Sequence, residues 1–130
     1  MKNVGVLALI ISFLALQSCC KNKAPLSIPA IGVEYINLTG SVLLYDIEID
    51  RNDISQVIDT TQVYLSESNK HFYLFEFKEG ENTHILFISD STSIDTLSNF
   101  SFNKDKCDVI ESFGYKHNGI NKSDSELIIQ

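Results

Sequence analysis

Three cysteines, three histidines and one alternating run of carboxylates are the residues of this 130-residue chain whose types could do chemistry. The run Tyr45-Asp46-Ile47-Glu48-Ile49-Asp50, extended by Asp53, spells D-x-E-x-D-x-x-D, which invites a calcium reading. A calcium loop of the EF-hand type needs glycine at its sixth position for a sharp turn, and Arg51 stands there. Isoleucines alternating with the acids fit a strand better than a ligand loop, so the carboxylates are expected on a solvated strand face. His71 and His84 fall on one predicted hairpin, the first near its open end and the second near its turn. At ~3.3 Å per residue they stand roughly 20 Å apart, too far to share an ion. His117 precedes the turn pair Asn118-Gly119 and is expected to be exposed. No metal site is therefore expected. Cys107 and His117 have the types of a nucleophile and its base, but Cys107 lies between Lys106 and Asp108 with no identifiable oxyanion donor or third partner. The glycine signatures of hydrolases, phosphate loops and dinucleotide sites do not occur. The chain reads as a non-enzyme with no catalytic residue and no cofactor.

The sulfur at position 19 is different, because the residues before it prepare it for a defined reaction. Lys2 supplies a short positive start, and Val4 to Leu16 follows as 13 uncharged, apolar residues. As a helix at ~1.5 Å per residue that run spans roughly 20 Å, well short of a hydrocarbon core of about 30 Å. It is too short to hold the protein in a membrane and the right length for a signal-peptide core. Leu16-Gln17-Ser18-Cys19 then resembles the bacterial lipobox: an aliphatic residue three before the cysteine, a small one directly before it, then the thiol that takes a diacylglycerol thioether. Gln17 departs from the small residues commonest at its position. Cys20 is a poor alternative, since Gln17 would then occupy the aliphatic position. Residues 1–18 are expected to be cleaved and Cys19 to become the lipidated N-terminus. Acyl chains contribute about 0.8 kcal/mol per buried CH₂, enough in a multiply acylated cysteine to anchor without a protein span.

The 112 residues left after residue 18 suffice for one domain. Losing Lys2 leaves nine basic residues against 17 acidic ones, a formal charge of −8. Such a surface repels nucleic acid, so DNA and RNA are not expected partners. With Cys19 acylated, Cys20 and Cys107 could bridge in an oxidising compartment, but a buried unpaired thiol at Cys107 is the favoured expectation.

Residues 19–32, with Pro25 and Pro29, read as a short extended tether. From Val33 to Gln130 the apolar residues recur with period two between turn signals, predicting strands at 33–38, 41–50, 61–66, 71–78, 83–89, 95–102, 106–116 and 126–129. Residues 54–58 form either a further short strand or a single turn. The strongest local unit is HFYLFEFK-EGEN-THILFIS, read as a hairpin. Pairing Lys78 with Thr83 would align Tyr73, Phe75 and Phe77 with Ile88, Leu86 and His84 on one face. Eight or so short strands predict an all-β fold, an antiparallel sandwich of immunoglobulin-like or transthyretin-like build. A small closed barrel of lipocalin kind is the competing architecture.

The Ser18-Cys19-Cys20 junction, the composition rich in Asn, Ile, Ser and Lys, and the stretch from Ile94-Asp95-Thr96-Leu97 through Cys107-Asp108-Val109-Ile110 to Asn118-Gly119 together resemble small outer-membrane lipoproteins of the Bacteroidota. The resemblance covers the leader and about a third of the remaining domain. It implies O-glycosylation at Asp-Ser/Thr patterns, here Thr60, Ser91 and Thr96. Surface display in that group follows acidic residues just after the lipidated cysteine, whereas Cys20-Lys21-Asn22-Lys23 is basic. An outer-membrane anchor facing the periplasm is therefore expected. Two functions from different classes follow. One is a non-catalytic interaction module holding a protein or glycan partner at the envelope. The other is a carrier of a small apolar ligand, which requires the closed barrel and an internal pocket.

Overall fold

The computed structural model describes residues 28–130. The leader, Cys19, Cys20 and most of the tether lie outside the described residues. Nine strands follow in order: β1 (Ala30–Tyr35), β2 (Val42–Ile49), β3 (Val57–Leu65), β4 (Phe72–Glu76), β5 (Thr83–Ile88), β6 (Ile94–Lys104), β7 (Ile110–His117), β8 (Ile120–Lys122) and β9 (Glu126–Ile129), with one 3₁₀ turn at Glu67–Asn69 before β4. They form a three-stranded sheet, β4-β1-β9, and a six-stranded sheet, β3-β2-β5-β6-β7-β8. All neighbours are antiparallel except β1 and β9, which run parallel. The two sheets do not close on each other, so the fold is the sandwich and the closed barrel does not form.

The core lies between the sheets. Phe75 and Phe77 meet Phe100 at ring-centroid distances of 5.6 and 4.8 Å, and Ile31, Val33, Leu44, Leu65, Leu86 and Leu97 are fully buried around them. Each such side chain withdraws its apolar area from water, worth roughly 1.5–3 kcal/mol. The paired sheets also satisfy the backbone polar groups that burial would otherwise leave without partners.

The predicted strands mostly form, with instructive differences. β1 starts at Ala30, directly after Pro29, whose carbonyl accepts the N–H of Phe77 at 3.2 Å and extends the β1–β4 pairing by one rung. Residues 54–58 and 61–66, read as separate pieces, give way to one strand, β3 (Val57–Leu65), of nine residues at the free edge of the larger sheet. β8 was not foreseen. It returns from the Asn118-Gly119 turn, where both residues have positive φ (48° and 80°), the requirement of a two-residue primed turn.

The largest correction concerns the expected hairpin. β4 and β5 are not paired: β4 belongs to the small sheet, against β1, and β5 to the large one, between β2 and β6. The turn at residues 79–82 crosses from one sheet to the other. Phe75, Phe77, His84 and Leu86 still share the core as expected, but from facing sheets rather than neighbouring strands; the Phe75 ring meets His84 edge-on at 4.5 Å. Periodicity specifies which side chains share a face, and cannot tell a hairpin from a crossover between layers.

Candidate functional site

β2 alternates as expected, but in the opposite sense. Asp46, placed by the sequence on a solvated face, is 6% exposed and points between the sheets. Tyr45 and Ile47 are on the outer face. Antiparallel register builds two adjacent inner rows, Asp46–Leu86–Asp95 and Glu48–His84–Leu97–His117. Histidines in the second row reach diagonally to aspartates in the first: His84 Nδ1 to Asp46 Oδ1 and His117 Nε2 to Asp95 Oδ1, both at 2.7 Å. His117 is thereby half-buried, not exposed, and Asn118 Nδ2 donates to the same Asp95 oxygen at 3.0 Å. From the small sheet the Tyr73 hydroxyl donates to Asp46 Oδ2 at 2.8 Å, so both oxygens of that carboxylate are engaged.

This polar seam has physical consequences. Burial, and then the Asp46 carboxylate, push the Tyr73 phenol well above its ordinary pKa. Burial does the same at Tyr35, with Asp95, Asp46 and Tyr73 adding to it, and the Tyr35 hydroxyl is buried without a hydrogen-bond partner. At His84 burial pulls the imidazole pKa down, but the Asp46 hydrogen bond and the charges of Asp46, Glu48 and Glu81 outweigh it, so the net shift is upward.

His84 also has a second nitrogen. Nε2 is buried with no hydrogen-bond partner, and its nearest acid is Glu81 Oε1 at 3.8 Å, beyond hydrogen-bonding distance. Glu81 lies on the crossover turn, where Oε2 accepts the N–H of Lys78 at 3.2 Å. Glu48 Oε1 accepts Asn82 Nδ2 at 2.6 Å. Arg51 braces the same turn by donating from Nη1 to the Gly80 carbonyl at 2.8 Å. One ligand atom each from Glu48, Glu81 and His84 lie within 4.8 Å of one another. Pairing histidine with histidine misses this cluster. His71 is indeed separate, its Nε2 on the Gly40 carbonyl at 2.8 Å. The signal in the sequence was His84-x-Leu86-x-Ile88: a histidine in register with core residues needs an inward partner, and β2 is the strand that carries alternating acids.

No family model, curated protein or solved structure matches this chain.

The remaining candidates are dispersed. Cys107 does not begin a strand: it sits in the turn before β7, its N–H donating to Asp105 Oδ1 at 2.7 Å. It is half-buried and disulfide-bonded, not a free thiol. With its sulfur in a disulfide, and with His117 committed to Asp95, no nucleophile pair forms. Thr60 is exposed in the middle of β3, Ser91 is exposed in the turn after β5, and Thr96 is half-buried in β6 with its N–H on Asn118 Oδ1 at 2.8 Å. Cys19 lies outside the described residues.

The outer face of the larger sheet is the other feature without a structural explanation. Tyr64 and Leu43 form one row, Gln62, Tyr45, Phe87 and Ile94 the next, and Thr60, Ile47, Ile85 and Thr96 a third. These three rows contain no charged side chain. Tyr45 stacks on Phe87 at 4.9 Å and 8°, while Tyr64 and Ile94 are 76% and 61% exposed. The outer face of the small sheet also exposes Phe72, Leu74 and Ile128, but Glu34, Glu76 and Glu126 are interleaved among them.

Proposed function

We propose that this chain is an envelope lipoprotein of the Bacteroidota type, anchored in the outer membrane through Cys19 and facing the periplasm, whose sandwich acts as a non-catalytic interaction module. The observation that carries the module is the uncharged outer face of the larger sheet, continuous with the free edge of β3. Contiguous exposed apolar surface is unfavourable in water unless a partner covers it, and an open strand edge offers backbone groups for strand addition. A protein partner suits this face better than a glycan, because the free β3 edge beside it can pair with an added strand, which a glycan cannot supply. The carrier reading required a barrel around an internal pocket; with the sheets open and Phe75, Phe77 and Phe100 filling the space between them, its premise is lost.

The anchor rests on the leader and the Leu16-Gln17-Ser18-Cys19 junction. A thioether at Cys19 consumes that sulfur, so this reading assigns the disulfide of Cys107 to Cys20. The geometry near the start of the described chain is compatible. Ile28 and Pro29 line an open groove with Phe77, Phe102, Lys104 and Ile110, and Lys104 and Ile110 flank the turn that holds Cys107. Eight residues from Cys20 to Ile28 reach at most about 28 Å. Anchor, bridge and tether would then share one end of the sandwich.

Labelled palmitate tests the anchor: the wild-type chain is expected to incorporate it and Cys19→Ala to incorporate none and fail to mature. Undiminished labelling of the variant would end the lipoprotein reading. Affinity recovery from solubilised envelopes tests the module. It should yield a partner with the wild-type protein that is lost with Tyr64→Lys, whereas recovery no better than a lipid-anchor control counts against it.

A further inference from the structure

We propose that Glu48, Glu81 and His84 form a binding site for a divalent transition-metal ion of the zinc class, with Asp46 as the carboxylate that orients the histidine.

The reason begins with the two nitrogens of one ring. His84 is 8% exposed, and its Nδ1 is held by Asp46 at 2.7 Å. A neutral imidazole whose Nδ1–H donates to a carboxylate presents a bare lone pair at Nε2, the tautomer that metal-bound histidines adopt in carboxylate–histidine–metal arrangements. Here Nε2 is buried, lacks a hydrogen-bond partner and faces Glu81. A buried polar atom without a partner is rare enough in folded proteins to call for an explanation, and an ion is one of the few that fit. A proton on Nε2 does not supply it, because Glu81 Oε1 stands at 3.8 Å. An ion between the ring and the two glutamates does.

Geometry and chemistry agree. Donors about 2.0–2.2 Å from a tetrahedral ion lie roughly 3.4 Å from each other. The three ligand atoms already lie within 4.8 Å, so a small rotation of two glutamate side chains closes the set. Both glutamates are half-buried, which leaves a route for the ion and a coordination position open to water or to a donor from a partner. Asn82 Nδ2 on Glu48 Oε1 and the Lys78 N–H on Glu81 Oε2 fix each carboxylate from outside, as supporting hydrogen bonds do around metal ligands. One imidazole nitrogen with two carboxylates suits zinc, whereas calcium and magnesium prefer shells made wholly of oxygen. The ligands come from β2, the crossover turn and the start of β5. A bound ion would tie the link between the two sheets to the larger sheet. This inference is independent of the lipid anchor and of the outer face.

The test uses the untagged protein, purified in detergent, stripped with chelator and titrated calorimetrically with zinc chloride, calcium chloride and magnesium chloride in separate runs. One zinc per chain is expected, with calcium and magnesium at least tenfold weaker. Glu81→Gln and Glu48→Gln should each weaken zinc at least tenfold, and His84→Gln should abolish it. Since a buried histidine variant can fail to fold, Glu81→Gln, at a half-exposed turn position, keeps the test decisive. Cobalt(II) provides a spectroscopic readout: visible d–d bands of a four-coordinate N/O site in wild type, lost in Glu81→Gln. No binding at submillimolar zinc, zinc binding indifferent to both glutamate variants, or a preference for calcium would each overturn the proposal.

Discussion

The two faces of the larger sheet use one alternating sequence in opposite ways. Inward, β2 and β5 place Asp46, Glu48 and His84 among Leu44, Leu86 and Ile88; outward they place Tyr45, Ile47, Ile85 and Phe87 toward water. This is the reverse of the usual arrangement for a half-buried strand. The inner acids are tolerated because each has a partner: Asp46 has His84 and Tyr73, and Asp95 has His117 and Asn118. On the outer face, no pairing between these residues explains why uncharged side chains are exposed. The lesson is that alternation assigns residues to faces, while partners decide which face is the inside.

That contrast can be broken first at Asp46. Asp46→Ala leaves His84 Nδ1 and the Tyr73 hydroxyl buried without an acceptor and is expected to cost about 4 kcal/mol, read from urea unfolding. A cost under about 1 kcal/mol would mean that the seam is solvated. Leu86→Ala, between the two aspartates in the same row, should cost about 3 kcal/mol through the cavity it leaves. Less than Asp46→Ala, it would rank polar pairing above packing at this level of the sheet.

A smaller effect follows from pH in chelator-treated protein. The folded-state pKa of His84 lies above its unfolded value of about 6.5, so protonated His84 favours the folded state. Its contribution is complete below about pH 6.5 and is lost as pH rises through the folded value. Thermal melts should therefore show Tm falling as pH rises above about 6.5, with a shallower fall in His84→Gln. An equal fall in both would assign the dependence elsewhere. The smallest expected change is on the outer face: Tyr64→Lys and Ile94→Lys should alter stability by no more than about 0.5 kcal/mol, because neither side chain is packed. A loss beyond about 2 kcal/mol would show that this face has a structural role.

Much of the fold was legible. β2, β4, β5 and β9 fall within a residue or two of where period-two alternation places them, and Asn118-Gly119 marks its turn. What was not legible depends on long-range choices. Whether β4 pairs with β5 or crosses to β1 is decided by how the two layers pack, which a local pattern does not encode. Asp46 looked solvated because an acid among isoleucines ordinarily is, and the partners that make burial affordable are 27 and 38 residues away. Cys107 looked like the start of a strand because apolar residues follow it, but Asp105 caps the N–H groups of both Cys107 and Val109 and turns the chain there.

The uncharged outer face can be tested most directly by placing a photoreactive amino acid at position 64 or 94 in the full-length protein and irradiating intact cells. Positions 74 and 128, on the outer face of the small sheet, serve as the comparison. A single envelope-protein adduct is predicted at 64 and 94 and none at 74 and 128. Equal labelling at all four positions, or no adduct at the first two, would contradict the assignment of that face as the docking surface.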